Sequence, residues 1–288
     1  MIDPIFLAEA AVNGVLLGGI LALLALGLNL IFGVIDIVWI CYVDLVTLCM
    51  YAVYFLVQVY GWPVWLGGLF AVGLGALLGI AVHLLIISPI LGSAPVNQLL
   101  ATGGLLFFIQ SFATFLWTTD HKTVRLALPS WEIGGIFVPA TRLIPFAISI
   151  VAMLALYLFL TRTYIGTAIR AVAQDREAMA LMGANPQRIY VVTSAVGGLM
   201  AGLAGALLVF QYSVHPFFGG QFGPLTFMIC VLGGLGNMVG AFVASFVMSE
   251  IISIAGVVWS TEMGYVIAFV VFIVMIFARP GGILTRRQ

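Results

Sequence analysis

Acids set inside apolar runs are the residues best placed to do chemistry in this chain. Asp44 lies in the run Gly33-Val-Ile-Asp-Ile-Val-Trp-Ile-Cys-Tyr-Val-Asp-Leu-Val-Thr, and Glu250 in Met248-Ser-Glu-Ile-Ile. A carboxylate surrounded by hydrocarbon is costly, so it faces a cavity, a partner or a polar clamp. For Asp44 three roles stay open: bonding backbone amides freed at a helix break, lining a path for solute, or contacting a second subunit. Glu250 divides the same way, and Asp36 sits where the run meets an interface. The histidines do not converge. His83, His121 and His215 fall in separate segments without an HExxH or nucleophile pattern, so no catalytic set is expected. His83 reads as structural, and His121 and His215 as loop residues. Cys41, Cys49 and Cys230 lie in apolar runs with no CxxC pair, which suggests neither a disulfide nor a metal site. The chain also lacks the GxxxxGK[ST] phosphate loop, so it is not expected to hydrolyse ATP or to hold a cofactor.

The elements that position these groups follow from composition. Of 288 residues, 64% are hydrophobic and 7% charged, against about 25% charged in soluble domains. Lipid must therefore be the solvent for much of the surface. A spanning helix needs about 20 apolar residues, and such stretches recur at 9–32, 36–59, 63–88, 97–118, 143–161, 189–211, 221–236, 238–258 and 264–278. The alternation of a membrane β-barrel is absent. The fold class is all-α: a polytopic helical membrane protein of eight or nine segments. The glycine-rich stretch 221–236 is short enough to be a half-helix or re-entrant. Residues 1–288 read as a single transmembrane domain. Met1-Ile-Asp-Pro lacks a basic n-region, so the first run is expected to be a retained helix rather than a signal peptide.

Charge placement orients the spans. Of ten basic residues, Arg162, Arg170, Arg176, Arg188, Arg279, Arg286 and Arg287 fall in loop 162–188 or at the C-terminus. The positive-inside rule puts both places in the cytoplasm. Five spans precede the loop, so the N-terminus, with Asp3 and Glu9, is expected to be periplasmic and the C-terminus cytoplasmic. Lys122, Arg125 and Arg142 flank or lie in loop 119–142. Small residues also pair at four-residue spacing: Gly14 and Gly18, Gly75 and Gly79, Gly198 and Gly202, Gly236 and Gly240. Such pairs let helix backbones approach closely in lipid.

Loop 162–188 is the sizeable structure outside the membrane. From Thr167 to Met182 it is alanine-rich with no internal glycine or proline, which predicts one helix, N-capped by Thr167 and ended by Gly183. Ile169, Val172, Ala173, Met179 and Ala180 form an apolar stripe, and Gln174, Asp175, Arg176 and Glu177 a polar knuckle. Three readings stay open: docking into a groove on a soluble partner, lying on the membrane, or serving as a connector.

The loop resembles the coupling segment of permeases in the branched-chain amino-acid importer family, within the ATP-binding-cassette superfamily. Gly166, Arg170-Ala171, Gln174-Asp175, Ala178, Met182-Gly183 and Arg188 carry the likeness, followed by Leu199-Met-Ala-Gly-Leu-Ala-Gly-Ala. Gly27-Leu-Asn-Leu-Ile-Phe-Gly-Val, Gly233-Gly-Leu-Gly-Asn-Met-Val-Gly-Ala and Arg279-Pro-Gly-Gly-Ile-Leu extend it over nearly the whole chain. Length suggests the shorter of the two permeases of such importers. The resemblance implies a bacterial inner-membrane import machine. A second permease subunit shares the translocation path. Two cytoplasmic ATPases, which carry the ATP and Mg, dock on Arg170, Gln174, Asp175, Arg176, Glu177, Met182 and Gly183. A periplasmic binding protein delivers the small-molecule solute. Nucleic acid is not an expected partner.

One stretch departs from the family. Where the family usually has Asn-Phe-Ala-His-Gly-Glu-Phe, this chain has Trp39-Ile-Cys-Tyr-Val-Asp-Leu. Only the acid survives. Asn29, Trp39, Tyr42 and Asp44 are the candidate path residues. If they face the path, it is bulkier and less polar than an ordinary branched-chain amino-acid route, and an aromatic or other organic acid, or an amide, fits better. The alternative is repacking against the second permease. Outside this family, a self-sufficient secondary transporter or channel also accommodates broken helices and buried acids; the docking loop distinguishes the two.

Overall fold

The computed structural model describes residues 4–124, 130–133, 136–279 and 282. Asp3, Arg125, Arg286, Arg287 and most of the motif after Arg279 lie outside the described residues. The chain runs α1 (Pro4–Ile35), α2 (Tyr42–Tyr54) with a π-helical turn Phe55–Val59, α3 (Val64–Val82) with a π-helical turn His83–Ile87 leading into α4 (Ser88–Ile90), and α5 (Pro95–Trp117). It continues through β1 (Ser130–Ile133), β2 (Ile136–Pro139), α6 (Ala140–Arg162), α7 (Tyr164–Gln174), α8 (Arg176–Leu181), α9 (Pro186–Leu208), α10 (Phe218–Gly233), α11 (Met238–Val258) and α12 (Thr261–Ala278). Helix dominates as expected. The exception is the antiparallel hairpin of β1 and β2, with Ser130 opposite Pro139. It falls in loop 119–142, which the helical periodicity did not cover.

Among the described residues, eight helical stretches are long and apolar enough to cross a bilayer. Helix α10, with 16 residues, rises only about 24 Å against a hydrocarbon core of about 30 Å. The chain nonetheless passes from one end of the molecule to the other between α9 and α11. Before α10, Val214 exchanges backbone bonds with Lys122 in the loop after α5. After α10, Gly236 packs on Gly33 near the end of α1. The non-helical residues 209–217 supply the missing length. Segment 221–236 therefore connects the two ends, and its helix begins earlier than expected, at Phe218.

Helix α1 is the spine, almost entirely enclosed by the other helices. Helix α11 runs beside it: Gly18 makes room for Phe246 and Ser249, Gly14 for Glu250, and Ser253 Oγ donates to the Ala10 carbonyl at 2.6 Å. The glycine pairs of α3 and α9 meet each other. A Cβ on Gly75 would strike the Gly198 carbonyl, one on Gly198 the Gly75 carbonyl, and one on Gly202 the Ala71 carbonyl. Backbone touches backbone along this seam, so its attraction is dispersion between closely fitted surfaces. His83 anchors the end of the seam, with Nδ1 3.0 Å from Ser194 Oγ. Gly236 and Gly240 divide differently. Gly236 occupies the turn between α10 and α11 with φ +80, and Gly240 in α11 packs on Gly233 of α10.

The second span is corrected at its start. Residues 36–41 are not helical, and α2 begins only at Tyr42. Asp36, with φ +60, ends α1. Irregular backbone at membrane depth must find its own hydrogen-bond partners. Here Thr102 Oγ1 of α5 donates to the Val38 carbonyl at 3.1 Å, and Tyr42 N–H to the Trp39 carbonyl at 3.1 Å.

The molecule has two ends. Glu9 and Asn13 of α1, Ser130, Pro139, Arg142, Phe210 and Gln211 surround one cavity, at the end where α1 starts. Phe32–Asp36, Arg170, residues 172–177 and Leu235–Gly236 surround another, at the end where α1 stops. Gly282 packs on Gly234 at that second end. The start of α1 and Gly282 thus lie at opposite ends, and loop 163–185 shares an end with Gly282.

Candidate solute pocket and docking face

The break before α2 opens on a cavity of about 460 Å³. Trp39, Ile40, Tyr42 and Val43 form one wall, Leu99 and Leu106 of α5 a second, and Gly219, Gly223, Pro224 and Phe227 of α10 a third. Among the described residues, no charged side chain lines it. Helix α10 can come this close because two of its wall positions have no side chain. Gly219 lies directly against the Asp44 carboxylate, and Gly223 faces open space. Pro224 interrupts the hydrogen-bond ladder of α10 at the same level.

The four candidate path residues separate. Trp39 and Tyr42 line the cavity. Tyr42 is held from behind: its hydroxyl donates to the Gly197 carbonyl at 3.1 Å and rests against Gly27. Asp44 is fully buried behind Gly219, off the cavity wall, and its Oδ1 accepts from Gln110 Nε2 of α5 at 3.0 Å. Its Oδ2 has no partner among the described residues, and neither has the Trp39 indole N–H. Asn29 is not on the wall. Its Oδ1 accepts from Gly236 N–H at 2.7 Å, and its Nδ2 donates to the Asn237 carbonyl at 3.0 Å. It clips the α10–α11 turn to α1. Gln110 and Thr102 were missed from sequence, although each is a polar residue inside an apolar span, the same signal that picks out Asp44.

The docking loop is two helices rather than one. Thr163, not Thr167, caps α7, with Oγ1 accepting from Gly166 N–H at 3.0 Å. Helix α7 stops at Gln174. Asp175 then leaves helical geometry and caps α8, accepting from Glu177 and Ala178 N–H at 3.0 and 2.9 Å. An aspartate that can bond nearby amides competes with helix continuation, and alanine-rich neighbours do not prevent it. Helix α8 ends as expected at Gly183, with φ +84. Gly183 N–H donates to Ala180 and Ala184 N–H to Met179, both at 3.1 Å, which is a Schellman closure. Ile169 and Val172 turn inward and are buried, and Met179 is half-buried. Ala173 and Ala180 are exposed, so the apolar stripe is shorter than its sequence pattern. Arg170, Gln174, Asp175, Arg176, Glu177, Met182 and Gly183 all lie exposed, and Leu181 and Met182 are 90% and 83% exposed. Arg170 and Gln174–Glu177 border a polar cavity of about 760 Å³ against the end of α1 and the α10–α11 turn.

The family described as "Branched-chain amino acid transport system / permease component" matches residues 10–276. The chain belongs to this family. Among its relatives, the high-affinity branched-chain amino acid transport system permease protein LivH of Escherichia coli (strain K12) is 26% identical over 99% of this chain and 97% of its own length. LivH of Salmonella typhimurium matches to the same extent. BraD of Pseudomonas aeruginosa, described in the same terms, is 25% identical over 97% of this chain and 96% of its own length. No solved structure matches the chain. Together with the eight apolar helices, membership makes this permease a multi-pass inner-membrane protein.

Proposed function

We propose that this permease is the membrane subunit of an ATP-driven importer for amino acids or related small organic acids. It forms the path with a second permease and receives solute from a periplasmic binding protein. Its start of α1 faces the periplasm, and loop 163–185 and Gly282 face the cytoplasm. The observation that carries the reading is the docking face. Helices α7 and α8 present Arg170, Gln174–Glu177 and Met182 outward while Ile169 and Val172 anchor them to the bundle. Helix α7 packs on α1, and α7 and α8 share a polar cavity with the ends of α1 and α10, whose other portions border the candidate pocket. A push on α8 passes through α7 to α1. Two ATPases docked there would convert ATP binding into movement of α1.

The test is purification of the tagged permease from its native membrane. Recovery of two ATPases and a second permease, with ATP hydrolysis stimulated by loaded binding protein, is expected. Recovery of the permease alone, with uptake driven by an ion gradient, would establish a secondary transporter instead.

A further inference from the structure

The pocket beside α2 sets a limit on what can enter it. An apolar protein cavity of about 150 Å³ holds one benzene ring. The cavity here measures about 460 Å³, within the range of small-molecule sites. Its walls supply hydrocarbon and aromatic surface from Leu28, Trp39, Leu99, Leu106, Pro224 and Phe227. An ammonium or carboxylate placed inside would lose its hydration without a partner. The charged head of an amino acid or organic acid must therefore stay outside, and only an apolar body fits within.

Position argues for solute rather than lipid. The irregular backbone of residues 36–41 starts at the cavity beside the end of α1, where Asp36 lies, and runs inward to Tyr42, which sits beside Gly27 and Gly197 within α1 and α9. Irregular backbone at that depth is tolerated where it lines a cavity or is buried in protein, not where it meets acyl chains. Discontinuous helices near mid-membrane are also where transporters place substrate. Gly223 leaves its position open although most residues would fill it.

We infer that this cavity receives the apolar side chain of the transported solute and is dimensioned for an aromatic ring system rather than a branched aliphatic chain. The inference rests on the transport reading above. Gly223 and Trp39 set the depth and width of the pocket, and Phe227 closes its side.

Gly223→Cys, in the complete complex in lipid nanodiscs, places a thiol in the cavity. Cys41, Cys49 and Cys230 are buried and give a low background. N-ethylmaleimide labelling is timed with added L-tryptophan, L-phenylalanine, L-leucine or L-glutamate. Tryptophan and phenylalanine are expected to slow labelling at least about five-fold, as a few-fold excess over the dissociation constant requires; leucine slows it weakly and glutamate not at all. Equal protection by leucine overturns the size argument. The pocket assignment falls if no amino acid protects, if lipid shields the thiol as well as the amino acids do when nanodiscs are compared with detergent, or if labelling requires removal of the second permease. Phe227→Cys repeats the measurement should Gly223→Cys fail to assemble. Stimulated ATP hydrolysis in the same preparation reports separately on the transport reading, so a working importer without aromatic protection refutes this inference alone.

Discussion

Gln110 of α5 donates its side-chain amide to Asp44 of α2 at 3.0 Å, and the bond is wholly enclosed between α2, α5 and α10. This pairing makes the buried acid a tie between helices at the break. Removing one side leaves the other stranded. Gln110→Leu is expected to lower the stability of the purified permease by about 1–3 kcal/mol, the range for a buried polar group left without its partner. Thermal unfolding in detergent would show it. Asp44→Asn keeps a partner for Gln110 and should cost less; equal losses for both would mean that the amide–carboxylate bond is not what matters.

The α3–α9 seam makes a sharper structural prediction. Gly198→Ala drives a methyl group into the Gly75 carbonyl. Overpacking of this kind costs about 1–3 kcal/mol, and the backbone on the far side cannot rotate away as a side chain can. Gly73→Ala, two residues before Gly75 in α3 and about half a turn round the helix, faces open space; it is the control and should leave the unfolding temperature unchanged.

Pocket polarity can be altered directly. Trp39→Asn with Tyr42→His widens the cavity and adds polar groups to its wall. Uptake across a panel of solutes is expected to shift away from aromatic and toward smaller, more polar compounds. An unchanged panel would mean that Trp39 and Tyr42 serve packing alone.

The junction of His121, Ser213 and His215 should loosen in acid. The two rings lie 4.5 Å apart, Ser213 Oγ is 3.1 Å from His121 Nδ1, and Lys122 adjoins them through its bridge to Val214. Burial first, and His121 second, hold the His215 imidazole below its ordinary range. The folded state therefore resists the proton that the unfolded state accepts. The stabilisation is complete above the ordinary histidine pKa and is lost as pH falls from there through the lowered value. The protection factor of the amides in segment 213–215, corrected for the intrinsic pH dependence of exchange, should fall over that interval, and less so in His121→Ala.

Much of the bundle is legible in the sequence because hydrocarbon forces long apolar runs, and because backbone contact forces glycine at Gly75, Gly79, Gly198 and Gly202. The docking loop is legible in its end, since Gly183 takes φ +84, a conformation that glycine tolerates. Its middle is not. Asp175 reads equally well as a polar helix residue or as a cap, and only the path of the chain decides. The start of α2 is hidden for a similar reason: Trp39, Ile40 and Cys41 are as apolar as a helix would be, and the Thr102 hydroxyl that satisfies Val38 lies 64 residues away. The pocket is made of absences at Gly219 and Gly223, which no spacing rule distinguishes from packing glycines. Asn29 and Asp44 show the converse: both stand out as polar, yet the structure uses each as a clamp.

The most direct test of the account is ATP hydrolysis by the reconstituted complex with and without loaded binding protein, comparing wild type with Arg176→Glu and Gly183→Val. Arg176→Glu reverses a charge on the docking face, and Gly183→Val forces a β-branched residue into the left-handed region, a cost of about 1–2 kcal/mol even for ordinary residues. The account predicts that both variants insert normally and lose most of the stimulation by binding protein. Full stimulation in both would contradict docking through α7 and α8.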